Sequence, residues 1–243
     1  MFDLVIFDWD GTLADTKQVI VFAFQKVLNQ VGCNVSSEDL EKLIGIGAKN
    51  MFKSILRAEN IPFTENLIQR LVHDKNEIHK ELGGMVELFD GSLDLLEALQ
   101  GNIPIALATM SSRTVIYTLL SAKGIRDYFS YIITADDVEH PKPDPEVFLK
   151  CARYLNVKPE LSVVIEDSVF GVVAAKKANM NCIAIPSGSY SIEELKKHEP
   201  HLIVNSINER QTILNFIFHR IPHRKKIDVN LLCNQGRFLE VAD

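Results

Sequence analysis

With 243 residues, 47% of them apolar and 24% charged, the chain is ordinary globular sequence, long enough for one substantial core and a second small domain; a fibrous repeat or a disordered polymer is excluded. Its net charge of -6, from 32 acidic against 26 basic residues, offers no basic field for nucleic acid, so an anionic partner must be neutralised locally by a metal or a few placed amides and lysines. Cys33, Cys151, Cys182 and Cys233 are scattered without a CxxC pair, which argues for reduced thiols over a disulfide scaffold or a zinc knuckle.

The opening segment, MFDLVIFDWDG, has no positive leader and too short an apolar run for a signal peptide. No stretch of eighteen apolar residues follows, so neither a membrane span nor a membrane partner is expected, and a cytoplasmic location is. Residues 2–7 read as a short strand, apolar almost without alternation and therefore covered on both faces as in a parallel sheet. Residues 15–88 differ, with helical periodicity at Ile20, Phe24, Val27 and Leu28, again at Leu40, Leu43 and Ile44, at Met51, Ile55 and Leu56, and from 67 to 82. This stretch is expected to be a helical insertion hinged near 14–17 and 87–91.

Short apolar runs then recur at 103–108, 131–133, 161–165, 182–185 and 202–204, separated by helical patterns at 92–99, 113–123, 145–155 and 171–178. Strand and helix alternating at this spacing predict a doubly wound, Rossmann-like α/β parallel sheet, built from residues 1–14 and 89–218, with residues 15–88 as a cap domain. A last helix is expected over 209–218, and residues 219–243 form a tail whose basic run at 223–226 reads as a solvated patch. In such a sheet the ligand crevice lies beyond the carboxyl ends of the strands.

Chemistry gathers at those ends. Asp8 and Asp10 leave the first strand two residues apart, with Gly11 allowing a tight turn and Thr12 able to tie it through its hydroxyl. Two such carboxylates repel unless a cation joins them, and Mg²⁺ is the hard ion that oxygen ligands suit; the plain alternative is an acidic loop capping a helix. Glu166 and Asp167 follow a distant strand in the same kind of position, where Asp167 or Ser168 as a helix cap competes with a shared metal. Thr109 closes another strand ahead of Ser111 and Ser112, hydroxyls placed either to hold phosphate oxygens or to cap the helix that follows. Lys142 sits between two prolines, stiffer than a lysine that only wets a surface.

The ordered set Asp8-Trp9-Asp10-Gly11-Thr12-Leu13, Thr109, Lys142-Pro143 with Pro145-Glu146-Val147-Phe148, and Glu166-Asp167-Ser168 resembles the haloacid dehalogenase-like superfamily. More narrowly, it is similar to the helical-cap branch of phosphoglycolate phosphatase-like, sugar-phosphate phosphatase-like and β-phosphoglucomutase-like enzymes. The resemblance implies a Mg²⁺-dependent phosphatase of a small phosphorylated metabolite. Asp8 would be the nucleophile and Asp10 the general acid and base, while Thr109 and Lys142 would hold the phosphoryl group. Asp8, Asp167 and the carbonyl of Asp10 would bind Mg²⁺, with Glu166 a ligand directly or through water.

In the cap, Thr16 either faces the cleft or caps its helix, and Lys49 either meets the far end of the substrate or faces solvent. Ile20 stands where β-phosphoglucomutase-like sequences carry a histidine, and Lys49 near their cap arginine, which favours hydrolysis over transfer back to a sugar. The Glu166-Asp167-Ser168 form leans toward a hexose or polyol phosphate as substrate. The competing readings are a phosphoglycolate phosphatase, a β-phosphoglucomutase-like transferase, a dehalogenase, and a non-catalytic phosphate sensor or partner-binding protein. Monomer and homodimer stay equally open.

Overall fold

The computed structural model describes residues 1–219; Cys233 and the basic run at 223–226 lie outside the described residues. In chain order the elements begin with β1 (Leu4–Phe7), β2 (Ala14–Asp15), α1 (Lys17–Asn29), α2 (Ser37–Glu41), α3 (Ala48–Ala58) and α4 (Glu65–Glu81). They continue with β3 (Glu87–Leu88), α5 (Ser92–Leu99), β4 (Ile105–Ala108), α6 (Arg113–Lys123), β5 (Tyr131–Ile133), α7 (Glu146–Tyr154) and β6 (Ser162–Glu166). The series closes with α8 (Val169–Lys177), β7 (Asn181–Ala184), α9 (Ile192–Lys196), β8 (Leu202–Ile203) and α10 (Arg210–Phe218).

Six strands form one parallel sheet in the order β5-β4-β1-β6-β7-β8. The alternation of side chains along a strand explains why β1 is apolar throughout. Val5 and Phe7 join the core under α5, α6 and α10, whereas Leu4 and Ile6 join the core under α7 and α8. Chain order reverses between β1 and its neighbours β4 and β6, and it is there that open α/β sheets leave a crevice at the strand ends.

Helices α1 to α4 enclose a third core of their own, centred on Phe24, Val27, Leu40, Phe52, Leu56 and Ile68, with the Phe24 and Phe52 rings 4.6 Å apart. This cap leaves and rejoins the sheet domain through a two-stranded antiparallel ribbon in which Ala14 faces Leu88 and Asp15 faces Glu87. The sequence pattern marks these positions as hinges and shows no strand, because two residues are too few to carry a period. On its other side the cap meets the core through polar contacts. Tyr190 donates its hydroxyl to the Lys42 carbonyl at 2.6 Å, and Lys42 Nζ donates to the Ser189 carbonyl at 3.2 Å and pairs with Glu194 at 2.9 Å. Among the described residues no helix is long and apolar enough to cross a membrane.

Candidate active site

The ladder places two acidic loops side by side. Phe7 lies opposite Ile165 in the β1–β6 register, so Asp8 emerges next to Glu166 and Asp167 at the same edge of the sheet. After Asp8 the chain turns on Trp9, whose carbonyl accepts from the amides of Leu13 and Ala14 at 3.1 Å, with Gly11 at φ +79°. A side chain at Gly11 or at Gly188 would run into the Asp167 carboxylate, so backbone closes around that group from two sides. Thr12 does not tie its own turn as its position suggests. It donates instead to Asp167 Oδ1 at 3.0 Å.

Lys142 is 1% exposed, and its ammonium spends its three donors on Asp8 Oδ1 at 2.9 Å, Glu166 Oε1 at 2.6 Å and the Ala108 carbonyl at 3.1 Å. Burial opposes the charge on Lys142, but the carboxylates of Asp8 and Glu166 outweigh it, so its pKa is raised. The other Glu166 oxygen accepts from the amides of Asp167 and Ser168, each at 3.1 Å, and from the Ser168 hydroxyl at 3.0 Å. Only a glycine fits at 171, where a Cβ would collide with the Glu166 carboxylate. Ser168 caps α8 by accepting from the Gly171 amide at 3.0 Å, which starts that helix at Val169 rather than at Gly171.

Asp10 is held differently. Its Oδ1 accepts from Thr16 at 2.9 Å, and its Oδ2 from Ser111 at 2.6 Å and Thr109 at 3.4 Å. Thr16 therefore faces the cleft and makes no side-chain cap to α1. The start of α6 is likewise served by Asp136, which accepts from the Arg113 amide at 2.7 Å, leaving the Ser111 hydroxyl to Asp10. Lys49 is farther out, mostly exposed and 3.5 Å from Glu65, on the rim of a cavity of about 250 Å³ between cap and core. Gln69, Lys75, Asn76 and Ser111 line that cavity as well.

The donor set fits a divalent cation. Asp8, Glu166 and Asp167 each offer an oxygen within 4.8 Å of the others, and Lys142 alone balances them among the described residues. Burial, offset by Lys142 but reinforced by Glu166 and Asp10, raises Asp8 to about 8. Burial together with Glu166 and Asp8 lifts Asp167 well above the usual carboxylate range. Carboxylates crowded in this way favour either protons or a metal. Asp10 stands outside this cluster by its side chain, which is committed to hydroxyls, so a contribution from it would come from the backbone.

Comparison with known proteins follows the same lines. Residues 5–185 match the haloacid dehalogenase-like hydrolase family. The chain is 31% identical over 182 residues to a fructose-1-phosphate phosphatase of Escherichia coli, covering 74% of this chain and 95% of the relative. It is 29% identical over 216 residues to a pyrophosphatase of Oceanobacillus iheyensis, covering 88% and 97%. Its fold superposes on the crystal structure of a β-phosphoglucomutase from Clostridium difficile with a TM-score of 0.81 at 30% identity, covering 90% of this chain and 99% of that one.

Proposed function

Because the chain belongs to the haloacid dehalogenase-like hydrolase family, as a phosphoric monoester hydrolase, we propose that it hydrolyses a small sugar or polyol phosphate with Mg²⁺ through phosphorylated Asp8. The observation that carries this reading is the buried Lys142 ammonium shared by Asp8 and Glu166, with Asp167 beside them at the strand ends. Asp8 and Asp167, with the Asp10 carbonyl, would hold Mg²⁺. Glu166, whose oxygens already accept from Lys142 and two amides, would act through water. When bound, Mg²⁺ supplies the positive charge that lets an anionic nucleophile approach an anionic phosphoryl group.

In the first step an Asp8 oxygen bonds to phosphorus as the phosphorus–oxygen bond to the leaving group breaks, and Asp10 gives its proton to the departing leaving-group oxygen. In the second, Asp10 takes a proton from water while the water oxygen attacks phosphorus. The bond to Asp8 then breaks, releasing inorganic phosphate. Thr109 and Lys142 stabilise the charge on the phosphoryl oxygens in both steps. The hydroxyls of Thr16 and Ser111 hold the Asp10 carboxylate in place, so the acid and the nucleophile arrive already oriented. Hydrolysis is favoured over return to a sugar because Ile20 is buried in the cap core and offers no proton-transfer group.

The direct test is phosphate release from a panel of hexose, polyol, nucleotide, two-carbon and three-carbon phosphates and pyrophosphate. The expected result is a best substrate among the sugar and polyol phosphates, with at least about 100-fold loss in EDTA. Primer-dependent conversion of β-glucose 1-phosphate to glucose 6-phosphate would overturn the hydrolase reading.

A second test needs no substrate. Asp8 and Asp167 titrate higher in the fold than in the unfolded chain, so the native state holds the extra protons and its stability falls as pH rises toward 8. His79, lowered from 6.5 to about 2 by burial and the Lys75 charge, works the other way, but it is already half titrated in the unfolded chain at pH 6.5 and adds only a small residual gain above it. Lys75, lowered to about 8 by burial against the pull of Asp10, contributes only above that value. Between pH 6.5 and 8 the melting temperature in EDTA is therefore expected to fall by several degrees, and Mg²⁺ is expected to flatten the decline. A rise in EDTA would mean that burial does not hold Asp8 and Asp167 up, and a slope that Mg²⁺ leaves unchanged would remove the metal from the proposed site.

A further inference from the structure

Helix α4 buries a stripe at Ile68, Leu71, Lys75, Ile78 and His79, against the apolar core of the cap. Two of those positions, one turn apart on the same face, are not apolar. Lys75 is 3% exposed and His79 is 0% exposed, with Lys75 Nζ 3.1 Å from His79 Nδ1. An ammonium can only donate, so Nδ1 accepts and the ring carries its proton on Nε2. That buried Nε2 has no hydrogen-bond partner among the described residues. A leucine at both positions would pack more favourably than a buried cation and a half-satisfied imidazole, so the pair calls for an explanation beyond the stability of the cap.

The surroundings of Lys75 supply one. Its stem runs through the cap core, and its ammonium lies 5.6 Å from the centre of the Phe24 ring. It lines the cavity between cap and core together with Gln69, Asn76 and Ser111, and Ser111 is the residue whose hydroxyl holds Asp10 at 2.6 Å. Among the described residues, the Asp10 carboxylate is the charge that pulls on Lys75, against the burial that lowers it. A cation held by a neutral acceptor thus lines the same cavity as the serine that holds the acid, the space open to the group that leaves phosphate.

We propose that His79 is a positioning residue: its Nδ1 accepts from Lys75 and so aims that ammonium at the oxygens of the leaving group in the cavity between α4 and the core. This rests on the reading of the site as an Asp8-dependent phosphatase. It adds a substrate requirement, that the group leaving phosphate be a polyhydroxylated carbon chain able to accept from Lys75, with the Gln69 and Asn76 amides alongside.

The experiment compares wild type, Lys75→Met, His79→Leu, His79→Asn and the double variant Lys75→Met/His79→Leu. Each is assayed with Mg²⁺ on the best substrate of the panel above and on acetyl phosphate, whose small leaving group neither fills the cavity nor needs a cation. Lys75→Met and His79→Leu are expected to lower kcat/KM on the panel substrate by about 10- to 100-fold and to change that on acetyl phosphate by less than about 3-fold. His79→Asn, which keeps an acceptor near the Nδ1 position, is expected to retain most of the activity. The double variant is expected to lose no more than Lys75→Met alone, since His79 works only through Lys75. Equal losses on both substrates, additive losses in the double variant, or a His79→Asn variant as poor as His79→Leu would overturn the inference and leave the pair a structural feature of the cap. A wild-type protein inert on every phosphate, acetyl phosphate included, would instead bring down the phosphatase reading on which it rests.

Discussion

Asp8→Asn is expected to abolish phosphate release, with a loss of about 10⁴-fold or more, while the protein stays folded. No other carboxylate can replace it. The Asp10 oxygens are bound to Thr16, Ser111 and Thr109, Asp167 is enclosed by the backbone at Gly11 and Gly188, and Glu166 is saturated by Lys142 and two amides. The amide keeps the shape and still offers an oxygen to Lys142, so packing is unchanged. It also removes a carboxylate that burial pushes up to about 8, so the metal-free variant is expected to melt no lower than wild type at pH 8. Activity and stability thus move in opposite directions, which separates a missing nucleophile from a damaged fold. Phosphate release and a melt in EDTA at pH 8 check both halves, and turnover near the wild-type rate would eliminate Asp8 as nucleophile.

Lys142→Met carries the largest expected cost to the fold. The thioether fills much the same space beside Phe148, yet Asp8 and Glu166 lose the ammonium they share, and the Ala108 carbonyl loses its donor. Breaking a buried ion pair by removing one partner typically costs about 3–5 kcal/mol. Urea denaturation of the metal-free protein at pH 8 is expected to show a loss of that order. The loss is expected to be smaller at pH 6, where the stranded carboxylates can take up protons. A loss below about 1 kcal/mol at pH 8, the level of an exposed pair, would mean that the lysine is not the counterion of this cluster.

Much of this arrangement was legible in the residues. The nearly unbroken apolar runs gave the parallel sheet away because a strand buried on both faces has no polar side to display, and the abrupt polarity after Phe7, Ala108 and Ile165 marked the strand ends. What stayed hidden had physical reasons. The β2–β3 ribbon and the five-residue α9 span hardly more than one period, too little for a repeat to show. Thr12 and Ser111 carry hydroxyls that suit a local turn or cap as well as a distant carboxylate, and only the folded chain decides between them. The roles of Gly171 and Gly188 depend on which carboxylate lies opposite, information that no local pattern contains. Lys75 and His79 did leave a trace, two polar residues on an apolar helical stripe, visible once the stripe is drawn through Ile68, Leu71 and Ile78.

The contacts that fasten the cap near Lys42 have a kinetic meaning. The Lys42–Glu194 pair is exposed and contributes about 1 kcal/mol or less, the part-buried Tyr190 hydrogen bond contributes about 1 kcal/mol, and the opposite attachment is a ribbon of two residues per strand. So light a fastening costs little to break. Whether the lid stays down is then decided by its occupant, and a molecule that bridges both walls would hold it shut for longer than one that touches only the core.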